Sequence, residues 1–151
     1  MSNIQEFMTE HHKNCDDLLV DAEGALAKAN WTDFEAAWNK FDAETQHHFA
    51  LEEDILFPEF EKQTGMTGGP TMVMRQEHSQ VRAMFDQMQQ AIQTQDTDRA
   101  MGIIESVMLL IQQHNMKEEQ ILYPMSDNHL ANGAEIVGQM KNTSVSGDNA
   151  K

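Results

Sequence analysis

The stretch HHFALEEDILFPEF, residues 47–60, returns sixty-six residues later as QHNMKEEQILYPMS, residues 113–126. Aligned, the two share the pattern H-x-x-x-E-E-x-I-L-[FY]-P. His48, Glu52 and Pro58 carry it in the first copy, and His114, Glu118 and Pro124 in the second. The same offset links His12, followed by Cys15, Leu18 and Leu19, to His78, followed by Val81, Met84 and Phe85. The chain therefore reads as two copies of one helical hairpin. A hairpin buries only one face, so two of them close on each other to share a core.

Apolar residues recur at three- and four-residue steps through both halves, which is the helical period. A first helix is expected over residues 4–29, with Ile4, Met8, Cys15, Leu19 and Leu26 among its inward side chains. A second is expected over residues 33–62, opened by a capping box of Thr32 and Glu35 and presenting Phe34, Trp38, Phe41, Ile55 and Leu56. TGMTGGP, residues 64–70, is a loop whose proline suits the first turn of a third helix reaching to about residue 94. QTQDTD makes another break, and a fourth helix carries Ile103, Ile104, Val107, Ile111, Ile121 and Leu122. Pro58 and Pro124 each remove a backbone donor and are expected to kink or end their helices. No segment reads as a strand. The expected fold is all-α: an antiparallel, up-and-down four-helix bundle over residues 1–127. A tail, residues 128–151, would hold a short helix near Glu135–Met140 and then fray.

Composition removes whole classes of function. The 151 residues carry a net charge of −15, from 25 acidic and 10 basic side chains. Nucleic acid and anionic membrane surfaces need basic patches, so neither is an expected partner. No apolar run approaches the roughly 18 residues of a membrane span. Cys15 is the one cysteine, so no intramolecular disulfide forms. That, with a polar N-terminal stretch lacking a signal-like apolar core, fits a cytoplasmic protein.

The informative residues are polar ones on core-facing sides. At about 100° per residue, His48 and Glu52 lie one turn apart on the face of Phe34, Phe41, Ile55 and Leu56, while His47 and Glu53 point away. His114 and Glu118 likewise fall among Val107, Ile111 and Ile121, with Asn115 and Glu119 directed outward. A buried carboxylate without a partner costs several kcal/mol, and two facing each other are worse unless cations neutralise them. A lone core histidine is usually just hydrogen-bonded, and an i,i+4 His–Glu pair is often a surface feature. Two such pairs on core faces, joined by histidines on the other two helices, point to metal. His78 lies toward the edge of its apolar stripe. On the first helix, projection alone slightly favours His11, whereas the repeat favours His12. With His12 taken on the repeat, six candidate ligands result: His12, His48, Glu52, His78, His114 and Glu118. One octahedral ion could use all six, but two ions fit the two-fold repeat better, each held by two histidines, with Glu52 and Glu118 bridging. Imidazole with carboxylate suits iron, with manganese or zinc as substitutes. Tyr123 could reach the site with a hydrogen bond, although packing is its default role.

The motifs just quoted, with EHSQVR around His78, resemble the hemerythrin-like, or HHE cation-binding, family over about residues 4–127. The resemblance implies an up-and-down bundle around a non-haem di-iron centre, oxo- or hydroxo-bridged, held by the six residues above. Oxygen-carrying members have H-x-x-x-H on the third helix and an aspartate five residues after the last histidine. Here Met74 stands four before His78, and Glu119 stands five after His114. The chain looks more like the iron-handling and nitrosative-stress branch, although the extra cysteine-bearing domain usual there is absent. A ferritin-like E-x-x-H pattern occurs once, as ETQH, and is not repeated. The expected function is to bind or reduce a small oxidant: dioxygen, peroxide or nitric oxide. The alternatives are an iron store, donor or redox sensor without turnover, and a structural bundle with an incidental zinc ion.

Overall fold

Three of the long helices open on a short polar side chain that accepts an otherwise orphaned amide. The computed structural model describes residues 3–143. Asn3 caps α1 (Ile4–Ala27) by accepting the Glu6 amide at 2.8 Å. The Asp127 carboxylate accepts the two amides before it, those of Ile4 and Gln5, and ties the start of α1 to a late part of the chain. Asn30 caps α2 (Trp31–Leu51) through the Asp33 amide at 3.1 Å. The expected Thr32–Glu35 box is therefore not the cap. Asn30 wins because it also donates to the Asp33 carboxylate, at 2.7 Å.

Each quoted cassette then passes through a single π-helical turn, Glu52–Leu56 in the first copy and Glu118–Leu122 in the second. There the Phe57 amide donates to the Glu52 carbonyl, and the Tyr123 amide to that of Glu118. Neither proline ends its helix. Pro58 and Pro124 sit in the first turn of the segments that continue, α3 (Phe57–Thr64) and α6 (Tyr123–His129), where a missing donor is tolerated. The wider turn also corrects the expected faces. Ile121 is 53% exposed and Leu122 is buried. A π turn advances fewer degrees per residue than an α turn, so the third residue after Glu118 falls short of the core. Ile55, expected inward, is half-buried for the same reason.

Gly65 closes α3 in the left-handed region, at φ 73°, where a side chain would be strained. Pro70 opens α4 (Pro70–Thr94), and Asp96 caps α5 (Thr97–Lys117) through the Arg99 amide. The helix pairs α1–α2 and α4–α5 are the two hairpins, and α1 on α5 with α2 on α4 closes the bundle. Two apolar clusters form the core. One holds Leu19, Leu26, Phe34, Trp38, Phe85 and Ile104. The other holds Met8, Leu56, Phe60, Met74 and Leu122. The last described helix, α7 (Gly133–Lys141), adds Ile136, Val137 and Met140 to the second cluster, packed with Ile4 and Met8. The expected fraying beyond it falls outside the described residues. Among the described residues there is no strand, and no helix is long and apolar enough to cross a membrane.

Candidate metal centre

Between the two apolar clusters lies a layer of buried polar side chains. Each main helix places one imidazole there: His12 from α1, His48 from α2, His78 from α4 and His114 from α5, all at most 4% exposed. The two π turns add Glu52 and Glu118, both at 0%. His12, and not His11, is the buried residue of its pair, as the sixty-six-residue offset implied; His11 stays half-buried beside Phe7. His78 is fully buried despite its place at the stripe's edge, because Phe49 stacks on its ring at 3.8 Å. His47 is half-buried and His129 exposed, and neither joins the cluster.

The two carboxylates are aimed alike. Glu52 sends Oε1 to His78 Nε2 at 3.0 Å and Oε2 toward His48 Nε2 at 3.7 Å. Glu118 sends Oε1 to His12 Nε2 at 3.0 Å and Oε2 to His114 Nε2 at 3.3 Å. Each acid thus directs one oxygen into each half of the site. The donors fall into two groups that share Glu118: Glu52, His78, His114 and Glu118 in one, and His12, His48 and Glu118 in the other, with one ligand atom per residue inside 4.8 Å. His114 Nε2 and Glu118 Oε2 are buried with no hydrogen-bond partner. Buried nitrogen and oxygen atoms facing one point in this way could hold a cation.

The other ring nitrogens are tied back. His12 Nδ1 donates to Glu119 at 2.7 Å, His78 Nδ1 to Glu53 at 2.6 Å and His114 Nδ1 to Glu77 at 2.8 Å. A carboxylate can only accept, so each Nδ1 carries a proton and Nε2 is the ring nitrogen that faces the centre. Arg82 grips Glu53 with two nitrogens, and Lys117 binds Glu77. Glu53 and Glu119 do lie off the core face, as projected, but their side chains reach back to the rings. These three acids are site residues that face projection overlooked. The second glutamate of each cassette was the available signal: Glu53 braces a histidine of the second hairpin, and Glu119 one of the first. The fourth ring, His48, has no partner at Nδ1.

Burial holds His48 down to about 3. Burial, with the His114 ring beside it, holds His78 down to about 4. Both are bare bases at neutral pH. For His12, burial pulls the value down but Glu118 and Glu119 outweigh it, raising it to about 9. Burial and the facing Glu118 push Glu52 well up. For Glu118, burial is outweighed by His114, Glu52 and His12, which keep it ionised. Without a cation Glu52 thus keeps its proton, Glu118 stays ionised, and the His12 imidazolium supplies positive charge. Tyr123, which α6 brings in directly after the second π turn, is fully buried with its hydroxyl inside the cluster.

The family model described as hemerythrin HHE cation binding domain matches residues 3–126. No curated protein and no solved structure matches the chain.

Proposed function

We propose, because this chain belongs to the hemerythrin HHE cation-binding domain family, that its six buried imidazoles and carboxylates hold two iron ions and that the pair binds or reduces a small oxidant. The observation that carries the two-ion reading is the aim of Glu52 and Glu118, each with one oxygen toward either half of the site. A single ion would need only one oxygen of each acid and would give the other no direction. Mixed nitrogen and oxygen donors with no thiolate suit iron, with zinc and manganese as competitors.

Iron supplies redox electrons and a coordination place for dioxygen, peroxide or nitric oxide. This chain's own residues do the rest. His12, His48, His78 and His114 present neutral nitrogen, Glu52 and Glu118 neutralise charge, and Glu53, Glu77 and Glu119 hold three of the rings in orientation. Phe49 and Phe57 cover the His78 side and exclude water there. A reducing cytosol is the fitting compartment for a chain with one buried thiol.

Loading the metal-free protein anaerobically with ferrous iron tests the reading. The expected result is two irons per chain and a visible absorption change on admitting air. Catalytic loss of peroxide or nitric oxide then identifies an enzyme, and stoichiometric binding without turnover a store, donor or sensor. Preferential, optically silent retention of zinc overturns the iron assignment.

A further inference from the structure

Two of the breaks in the repeat around the centre bear on the same half. The position of Phe57 in the first cassette is taken by Tyr123 in the second. Phe57 lies against His78, with ring centroids 5.7 Å apart, and offers no polar atom. Tyr123 Oη lies 3.1 Å from His12 Nε2 and 3.3 Å from His48 Nε2. It also lies 2.9 Å from Glu118 Oε1 and 2.6 Å from Glu52 Oε2. The second break is at Glu77, which braces His114; sixty-six residues earlier stands His11. His48 is therefore the one ring of the four without a carboxylate behind it, and its Nδ1 is unpartnered.

We propose that Tyr123 is a seventh ligand of the centre, binding as phenolate the ion held by His12 and His48. This rests on the two-ion reading above. Spacing supports it. Metal–nitrogen and metal–oxygen bonds of about 2.0–2.2 Å put neighbouring ligand atoms of an octahedron on the order of 3 Å apart and opposite ones on the order of 4 Å apart. His12 Nε2 stands 3.0 Å from both His48 Nε2 and Glu118 Oε1, while His48 Nε2 and Glu118 Oε1 stand 4.0 Å apart. Tyr123 Oη is at the neighbouring distance from all three, as a fourth vertex would be. On coordination the O–H bond is replaced by an oxygen–metal bond and the proton passes to solvent, with no change of oxidation state. The His78 and His114 half has no such oxygen and keeps the place for an exogenous ligand.

Tyr123 is the sole tyrosine of the chain, so a tyrosinate signal has one source. The protein is loaded with ferrous iron without oxygen, oxidised with ferricyanide and examined by visible absorption and resonance Raman spectroscopy. The expected result is a phenolate-to-iron charge-transfer band that enhances tyrosinate ring modes, shifted by ring-deuterated tyrosine in the wild-type protein. Tyr123→Phe loses the band and still retains iron. Two bound irons with no tyrosinate modes overturn this inference and leave the two-iron reading standing. Failure to bind iron overturns both.

Discussion

His47 and His48 are chain neighbours separated by about 100° around α2, and that rotation decides their chemistry. His48 is 3% exposed and aims Nε2 at the centre, whereas His47 is half-buried and outside it. His48→Ala is expected to abolish loading of one ion, while His47→Ala leaves two irons per chain, as counted by metal analysis; equal losses would refute the facing. The bracing acids act one step removed. Glu77→Gln keeps the shape but weakens acceptance from His114 Nδ1 and frees Lys117. Its expected effect is a loss of about 10–100-fold in metal affinity, measured by competition with a chelator of known strength. Glu59→Gln, far from the rings, serves as the control and should change nothing.

The π turns explain how one element carries both a carboxylate and a phenol to the same point. In a straight α-helix Tyr123, five residues after Glu118, would stand about 140° around from it. The i→i+5 bond at Glu118–Leu122 absorbs one extra residue, so Tyr123 takes the place a fourth residue would hold. Deleting Gln120, which is exposed, should therefore convert the turn to α-helix and leave both flanks in register. Circular dichroism and iron stoichiometry are expected to stay close to wild type. Deleting Ser106, in the middle of α5, rotates every later residue by about 100° and should destroy the fold. If both deletions are equally damaging, the π turn is not the extra residue it is taken to be. Pro58 and Pro124, immediately beyond the turns, stay within continuous helix for the same reason: they fall where a new first turn begins.

For the whole molecule, the centre couples metal to stability. Four helices converge on acids and rings that satisfy one another poorly alone, so a ligand of the folded state adds about 4 kcal/mol at a thousandfold excess over its Kd. At roughly 2–4 °C per kcal/mol for a chain of this size, the melting temperature should rise by about 8–16 °C, and a chelator should reverse it. In the metal-free chain the signs of pH dependence are opposite on the two flanks. His12 stands at about 9 against an ordinary 6.5, so its stabilisation is full below pH 6.5 and lost as pH climbs toward 9. His48 stands at about 3, so the unfolded chain takes its proton first, and stability is lost as pH falls from 6.5 toward 3. Urea unfolding should show these two groups giving a maximum near pH 6.5. His12→Gln should flatten the alkaline limb and spare the acid one; an unchanged alkaline limb would contradict the assignment.

The sixty-six-residue offset and the helical period are one-dimensional signals, and they sufficed for the hairpin duplication, the core faces of α1, α2, α4 and α5, and the choice of His12 over His11. Local backbone physics repeats wherever the residues repeat. The π turns were not legible, because a change of helical pitch leaves the sequence period nearly intact while moving Ile121 out and Tyr123 in. Nor were the partners of Glu53, Glu77 and Glu119, which reach rings on other helices. Which nitrogen a carboxylate meets depends on how four helices cross, and that is determined by packing across the bundle.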